Sequence, residues 1–257
     1  MLINRGVIFR LKNFALGCRA EHPQEFINLS QWGSVSLKGV KAAEYRLTSK
    51  GTGNIPVYSF CMCPGGIVVP ATSYAGQNIV NGMSYYRRAG SFANASCVAG
   101  INPSLLSDKI KTPLEALAWL EDLEGSFFRF SNGYQAPACT IKDFLNSRLS
   151  ATLPKSSYPL GLVQAPLWGM LPANIVQALK AGLGDFSRKL KGYDQGVLIG
   201  LESKTSSPVQ VLRNKYGLCD GFENLFTAGE GSGYAGGIVS SAADGIRTAL
   251  HIIELNR

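Results

Sequence analysis

A glycine-rich stretch near the C-terminus combines residue types and spacing that could do chemistry. It follows a predicted short strand at residues 225–228 and precedes a predicted amphipathic helix, in which apolar residues recur at helical spacing from Ile238 to Ile253. A glycine turn that leads into a helix presents unpaired backbone N–H groups and the positive end of the helix dipole. The stretch is therefore predicted to hold an anion or an electron-rich ring.

The turn contains a match to G-x-G-x-x-G at residues 231–236, with Glu230 directly before it. A dinucleotide-binding βαβ unit needs a second parallel strand after the helix, with an acidic residue about twenty positions on that binds the ribose. The sequence ends at Arg257, soon after the predicted helix, so we expect no such unit around this turn. Glu230 would repel a pyrophosphate but would accept hydrogen bonds from a neutral polyol.

A strand, a Gly–acid pair, a glycine turn and a terminal helix, in this order, are typical of the second flavin-contacting segment of flavoproteins with two dinucleotide-binding domains. In such a segment the acid binds the ribityl chain of FAD, and the helix N-terminus stabilises negative charge on the reduced ring. The alternatives are a glycine-rich helix entry without a ligand, and a Glu230 that only complements the helix dipole. The predicted cofactor-binding residues are Gly229, Glu230, Gly231, Gly233, Tyr234, Ala235, Gly236, Gly237 and Ile238.

Cys61 and Cys63 form a C-x-C pair, the predicted catalytic residues of the chain. On a strand, two residues at this spacing point to the same face. Beside a flavin they could relay electrons or attack a substrate, whereas the alternative interpretation is a pair of small buried apolar side chains. Elsewhere, Arg87 and Arg88 could bind a substrate carboxylate or phosphate or lie at a solvated strand end, and His22 is predicted to have a capping or packing role.

Composition excludes several classes of function. The net charge of +8 is spread along the chain without a dense basic run, so no nucleic-acid partner is expected. Six cysteines without a C-x-x-C motif and only two histidines predict reduced thiols, no metal site and a cytoplasmic location. Residues 52–86 carry no charge, but Gly, Pro, Asn and Gln interrupt them repeatedly, so they predict strands buried on both faces or lining a cavity rather than a membrane span.

The strands and helices expected along the chain predict an α/β to α+β fold, in which they position the candidate residues. Strands are expected at residues 57–61 and 67–72, joined by a tight turn, and at 79–83 and 197–201. Helices are expected from Thr112 and Thr140, each with a capping box. Further helices are expected at 172–180 and 185–190. This pattern divides the chain into a strand-rich region facing substrate and flavin at 1–110, a helical insertion at 111–192, and return strands with the cofactor-contacting segment at 193–257.

The chain resembles the C-terminal part of a family of bacterial FAD-dependent dehydrogenases of the two-dinucleotide-domain type. The matching stretches run through nearly the whole chain in the family's order. They are residues 14–17 and 21–24, 43–47, 58–66, 80–84, 94–95, 205–209 and 228–237.

The resemblance implies an oxidoreductase in which a small-molecule substrate exchanges a hydride or two electrons with the flavin N5, with NAD(P)H as a possible second substrate. Relatives begin with a Rossmann unit whose glycine fingerprint binds the ADP half of FAD, and this sequence has no such fingerprint near its N-terminus. Full FAD binding is therefore expected to need a partner chain or segment. The alternatives are a non-catalytic fragment and a module that binds an apolar ligand.

Overall fold

The computed structural model of the chain describes residues 1–106 and 110–255. The described α-helices are α1 (Gln24–Trp32), α2 (Pro113–Ser131), α3 (Ile141–Asn146), α4 (Leu167–Met170), α5 (Ala173–Lys189) and α6 (Ile238–Leu255). The first strands are β1 (Phe9–Leu11), β2 (Phe14–Pro23), β3 (Thr48–Thr52), β4 (Ile55–Pro70) and β5 (Val80–Ser84). The later strands are β6 (Phe92–Ile101), β7 (Ala136–Thr140), β8 (Leu162–Gln164), β9 (Val197–Glu202) and β10 (Val209–Val211).

The two sheets differ in size. The larger has eight strands in the order β3-β4-β6-β2-β9-β7-β8, with β5 paired to β4. It is a mixed sheet, because β7 runs parallel to β8 but antiparallel to β9. The smaller sheet pairs β1 with β10. The mixed sheet, together with the helices, confirms the predicted α/β to α+β class.

The chain divides into two compact units. Unit 1 comprises residues 1–14, 102–120 and 204–257, and unit 2 comprises residues 15–101 and 121–203. In unit 1, a small core packs Val7, Val211 and Cys219 together with Phe9, Phe222 and Leu225. In unit 2, one core cluster joins Val68, Val80, Ala138, Tyr158 and Ile199 from neighbouring strands. The functional division of the chain at residues 110 and 192 stays a prediction.

Some local predictions are confirmed. Thr112 and Glu115 form the expected reciprocal cap, in which Thr112 N donates to Glu115 Oε2 at 2.8 Å and Glu115 N donates to Thr112 Oγ1 at 3.3 Å. Thr140 and Asp143 form a second capping box. Within the described residues, no helix combines the length and the apolar character needed to cross a membrane.

Other local predictions are wrong. The two strands expected on either side of a turn at 61–66 are one strand, β4, whose pairing with β6 shifts register twice, between Phe60 and Cys63 and between Cys63 and Gly66. Residues 225–228 are not a strand, since Phe226 forms only an isolated bridge with Leu218. The expected helices at 172–180 and 185–190 are the single helix α5.

Candidate functional site

The glycine turn before α6 packs closely on strand β10 in unit 1. Val211 N donates to Ser232 O at 3.0 Å, and Gln210 Nε2 donates to Gly233 O at 3.0 Å. Gly233 has a φ of +85°, and a Cβ there would lie 2.5 Å from Val209 O. Only glycine tolerates both conditions. This close approach explains how the turn keeps its shape between the strand and the helix.

A partly buried ion pair fixes the other end of the turn. Asp244, in the second turn of α6, accepts a hydrogen bond from Gly229 N at 2.8 Å and pairs with Arg213 Nη2 at 2.8 Å. The Arg213 guanidinium also donates to Thr227 O at 2.7 Å and lies 3.7 Å from the centre of the Tyr234 ring. These contacts hold the pKa of Asp244 below its usual value. Sequence reasoning missed Asp244, although an acid near a helix start beside a glycine turn is a recognisable signal.

The N-terminus of α6 lies open. Its first helical hydrogen bond runs from Ser241 N to Gly237 O at 2.9 Å, so the backbone N–H groups of Ile238, Val239 and Ser240 precede the helical ladder. Ile238 is 91% exposed and Val239 is 83% exposed. This end of the helix therefore has room for a ligand with negative charge.

Glu230 lies at the start of the turn and is half-buried. Burial raises the pKa of its carboxyl group, while the nearby Lys12 opposes the shift. Lys12 in turn has a pKa lowered by burial, which the charge of Glu230 opposes. The carboxylate is thus only partly neutralised by its neighbour, and it can still accept a hydrogen bond.

In unit 2, the fully buried Arg19 of β2 lies at the centre of a polar network. Its Nε donates to Glu202 Oε2 at 2.9 Å, and its Nη1 donates to Asn94 Oδ1 at 2.7 Å. Nη2 donates to Asn81 Oδ1 at 3.0 Å, and Nη1 also reaches the carbonyl of Cys61 at 3.3 Å. The network therefore connects β2 with β4, β5, β6 and β9.

Gly82 makes space for this guanidinium. A Cβ at Gly82 would lie 2.0 Å from Arg19 Nη1 and 2.1 Å from Asn94 Oδ1, closer than any real Cβ contact. Sequence reasoning did not select Arg19. The available signal was one arginine among apolar residues of a strand, because such a charge must find a partner inside the fold.

Cys61 and Cys63 lie beside the Arg19 network in different surroundings. Cys61 is exposed and has a φ of +45°, whereas Cys63 is buried. The Cys63 thiol donates to Cys61 O at 3.3 Å and lies 3.8 Å from Arg19 Nη1. The expectation that both point to the same face is wrong, because the register shift at these residues breaks the alternation of the strand. The cysteines belong to unit 2 and the glycine turn belongs to unit 1.

Comparison with known proteins identifies the class. The family described as "FAD-dependent protein, C-terminal domain-like" matches residues 13–205, and the chain belongs to this family. A Clostridium beijerinckii protein named only "Uncharacterized protein" is 41% identical over 261 residues, which cover 99% of this chain and 49% of that protein. The chain thus spans about half the length of this relative. The family match includes Arg19, Cys61 and Cys63 and ends before the glycine turn.

The family implies FAD, and the glycine turn fits part of that cofactor. The open N–H groups at the start of α6 suit an electron-rich ring edge, and Glu230 suits the hydroxyl groups of a ribityl chain. The N–H of Gly229 is already bonded to Asp244, so it is not available to a ligand in this conformation. The ligand-facing part of the turn is therefore predicted to be residues 230–238.

Proposed function

We propose that the chain is the C-terminal part of an FAD-dependent oxidoreductase, and that a further polypeptide segment completes its cofactor site. The observation that carries this proposal is the uncovered apolar face of α6. In the described helix Thr248 is the one buried residue, while Ile246, Leu250 and Ile253 are each more than half exposed. A helix with an apolar stripe of this kind needs a partner surface to cover it.

The length of the Clostridium beijerinckii relative supports the same proposal. About half of that protein has no counterpart in this chain, and it is long enough to form a domain of its own. We infer that this additional half, as part of the same polypeptide or as a partner chain, packs on α6 and binds the ADP portion of FAD. The chain itself contributes the flavin end of the site.

When bound, FAD accepts or donates a hydride at N5, or transfers two electrons. The role proposed for this chain is electrostatic. Backbone N–H groups of Gly236, Gly237 and Ile238, together with the helix dipole, stabilise negative charge on the ring. Glu230 orients the ribityl chain by accepting hydrogen bonds from its hydroxyl groups. A small molecule, with NAD(P)H as a possible second substrate, exchanges the electrons.

The thiol pair forms a second part of the proposal. Cys61 is the exposed member, so a substrate can reach it, and it could relay electrons or attack the substrate. Substitution of Cys61 by serine in an active assembly tests this role. Unaltered turnover would exclude it.

A chimera tests the main proposal. In the chimera, the present chain replaces the matching half of the Clostridium beijerinckii relative. We expect the chimera to purify with, or take up, FAD and to show the visible absorption bands of a bound flavin, while the chain alone retains little. Bleaching of these bands by NADH or NADPH without oxygen would identify a nicotinamide substrate. A folded chimera that stays colourless after addition of FAD would contradict the proposal.

Two matched pairs of variants locate the contacts in the chimera. Glu230→Ala should weaken retention of FAD, whereas Glu223→Ala, at an exposed position outside the turn, should not. Ile246→Asp should disturb the covering of α6 and so lower FAD retention. Leu29→Asp, at an exposed apolar position on α1, serves as its control. Equal retention within a pair would reject the role assigned to its first member.

A further inference from the structure

Unit 2 contains a cavity of about 850 Å³, and no residue of the Arg19 network lines it. It lies where β2 passes into α1, and it is bounded by the segment before β6 and by the turn before β9. Its size is within the range of small-molecule sites in proteins. Phe26 and Phe92 line it and offer flat apolar surfaces. Neither the family match nor the proposed flavin contacts assign a role to this cavity.

Two buried polar residues, Glu21 and His22, line the cavity. The Glu21 carboxylate is occupied, because it accepts from Ser157 N at 3.0 Å and from the Ser157 hydroxyl. His22 Nε2 lies 2.8 Å from Tyr193 O. Since a carbonyl can only accept, Nε2 must carry the proton, and neutral His22 then has a bare acceptor at Nδ1. Within the described chain this buried Nδ1 has no hydrogen-bond partner.

This Nδ1 has almost no accessible surface, so a molecule in the cavity does not bond to it directly. His22 nevertheless lines the cavity, so the resonances of its ring should shift when a molecule occupies the space.

Three cationic residues line the same cavity, and each comes from a different loop. They are Lys41, Arg88 and Lys155. Two of them have weak internal contacts. Lys41 Nζ donates to the carbonyl of Tyr86 at 3.3 Å and lies 4.6 Å from the centre of its ring, and Arg88 pairs with Glu44 at 3.8 Å, where both side chains are solvent-exposed. Exposed pairs of this kind contribute about 0–1 kcal/mol, so an anionic ligand can compete for these cations.

We propose that this cavity binds a small organic anion, which places a flat body against Phe26 and Phe92 and a carboxylate or phosphate group at Lys41, Arg88 and Lys155. Glu25 also lines the cavity and disfavours ligands with a large negative charge. The ligand class is thus a compact aromatic acid or phosphate.

The two histidines of the chain allow a specific test. The full chain labelled with ¹⁵N in its histidine rings is titrated with AMP and with 4-hydroxybenzoate, and with adenosine and phenol as their uncharged counterparts. We expect saturable movement of the His22 Nδ1 resonance with one of the anions, and binding at least about tenfold weaker for its uncharged counterpart, equivalent to 1.4 kcal/mol. His251, which lies in unit 1, should not respond. Comparison of AMP with 4-hydroxybenzoate separates phosphate from carboxylate recognition.

Variants establish which cations bind the anion. Combined Arg88→Ala and Lys155→Ala should weaken binding by at least about tenfold, whereas Lys38→Ala, at an exposed lysine that does not line the cavity, should leave it unchanged. Circular dichroism confirms that each variant is folded. If neither anion moves the His22 resonance, or if the uncharged compounds bind equally well, the proposal is wrong. The test uses no flavin, so its failure would leave the proposed oxidoreductase function untouched.

Discussion

Arg19 Nε lies 2.9 Å from Glu202 Oε2, and the two side chains are 0% and 3% exposed. A buried charge that keeps its partner is tolerated, but one that loses it is strongly unfavourable. The charge of Glu202 and its hydrogen bonds keep the pKa of Arg19 above its usual value, although burial opposes the shift. The arginine therefore remains charged throughout the pH range in which the protein is folded.

Removal of one partner of this pair should be costly. We expect Arg19→Met to lower the free energy of unfolding by about 3–5 kcal/mol, measured by chemical denaturation. The double variant Arg19→Met with Glu202→Leu should recover part of that loss, because no unpaired carboxylate remains. Arg129→Met removes an exposed pair with Asp122 and should change stability by less than about 1 kcal/mol. A loss from Arg19→Met as small as this control would contradict the prediction.

Two glycines offer a comparison of close packing with open space. Gly82→Ala should destabilise unit 2 by about 1–3 kcal/mol, because the added Cβ must displace Arg19 or Asn94. Gly184 lies within α5, and a Cβ there would meet nothing within 4 Å. Gly184→Ala should stabilise the protein by up to about 1 kcal/mol through helix propensity. Thermal unfolding of both variants checks this, and equal effects would show that Gly82 does not make room for the guanidinium.

The thiols should differ sharply in reactivity. All six cysteines lie in the described part of the chain, and Cys61 alone is exposed. Burial raises the pKa of Cys97 to about 11 and that of Cys139 to about 12, which further lowers their reactivity. A disulfide reagent that absorbs visible light on reaction should therefore modify one thiol rapidly in the native protein. Cys61→Ser should abolish this fast phase, and a fast phase that persists would contradict the structure around β4.

His22 should make the protein less stable in acid. Burial lowers its pKa to about 4, compared with 6.5 when it is free in the unfolded chain. Between these values the unfolded state binds the proton and the folded state does not, so stability is retained above pH 6.5 and falls as the pH decreases toward 4. The loss from this group amounts to about 3 kcal/mol.

His22→Gln should reduce this acid dependence, because the glutamine amide can donate to Tyr193 O without taking up a proton. Burial raises the pKa of Glu21, which acts in the opposite direction and stabilises the fold as the pH falls. Denaturation at several pH values, compared between wild type and variant, therefore isolates the contribution of His22. Parallel pH profiles would contradict the prediction.

The helix ends that depend on neighbouring residues were predicted correctly from the sequence. The caps at Thr112 and Thr140 and the start of α6 at Ile238 are determined by neighbouring residues, and the structure has them where the sequence predicts. Pro64 and the following glycines predicted a turn, yet pairing with β6 on one side and β5 on the other holds this segment as a bulged strand. Such pairing is tertiary and leaves no local signal.

The candidate site was predictable to a smaller extent. The glycine turn could be selected from its spacing, but its contacts with Gln210 and Asp244 depend on how β10 and α6 fold back on it. The Arg19 network joins residues that are far apart in the chain, namely positions 19, 81, 94 and 202. No periodicity connects them, so only the folded sheet shows that residues 81, 94 and 202 surround the buried guanidinium of Arg19.

The dense bonding of Arg19 also has an evolutionary consequence. The acceptors of its guanidinium come from four strands besides its own. A substitution at any one of these positions therefore changes the hydrogen bonds that the guanidinium makes with the others. Substitutions at residues 81, 82, 94 and 202 should therefore be strongly epistatic, and any of them should be accepted only together with compensating changes elsewhere in the set. Among descendants of this sequence, these positions are expected to change as a group or to stay fixed together.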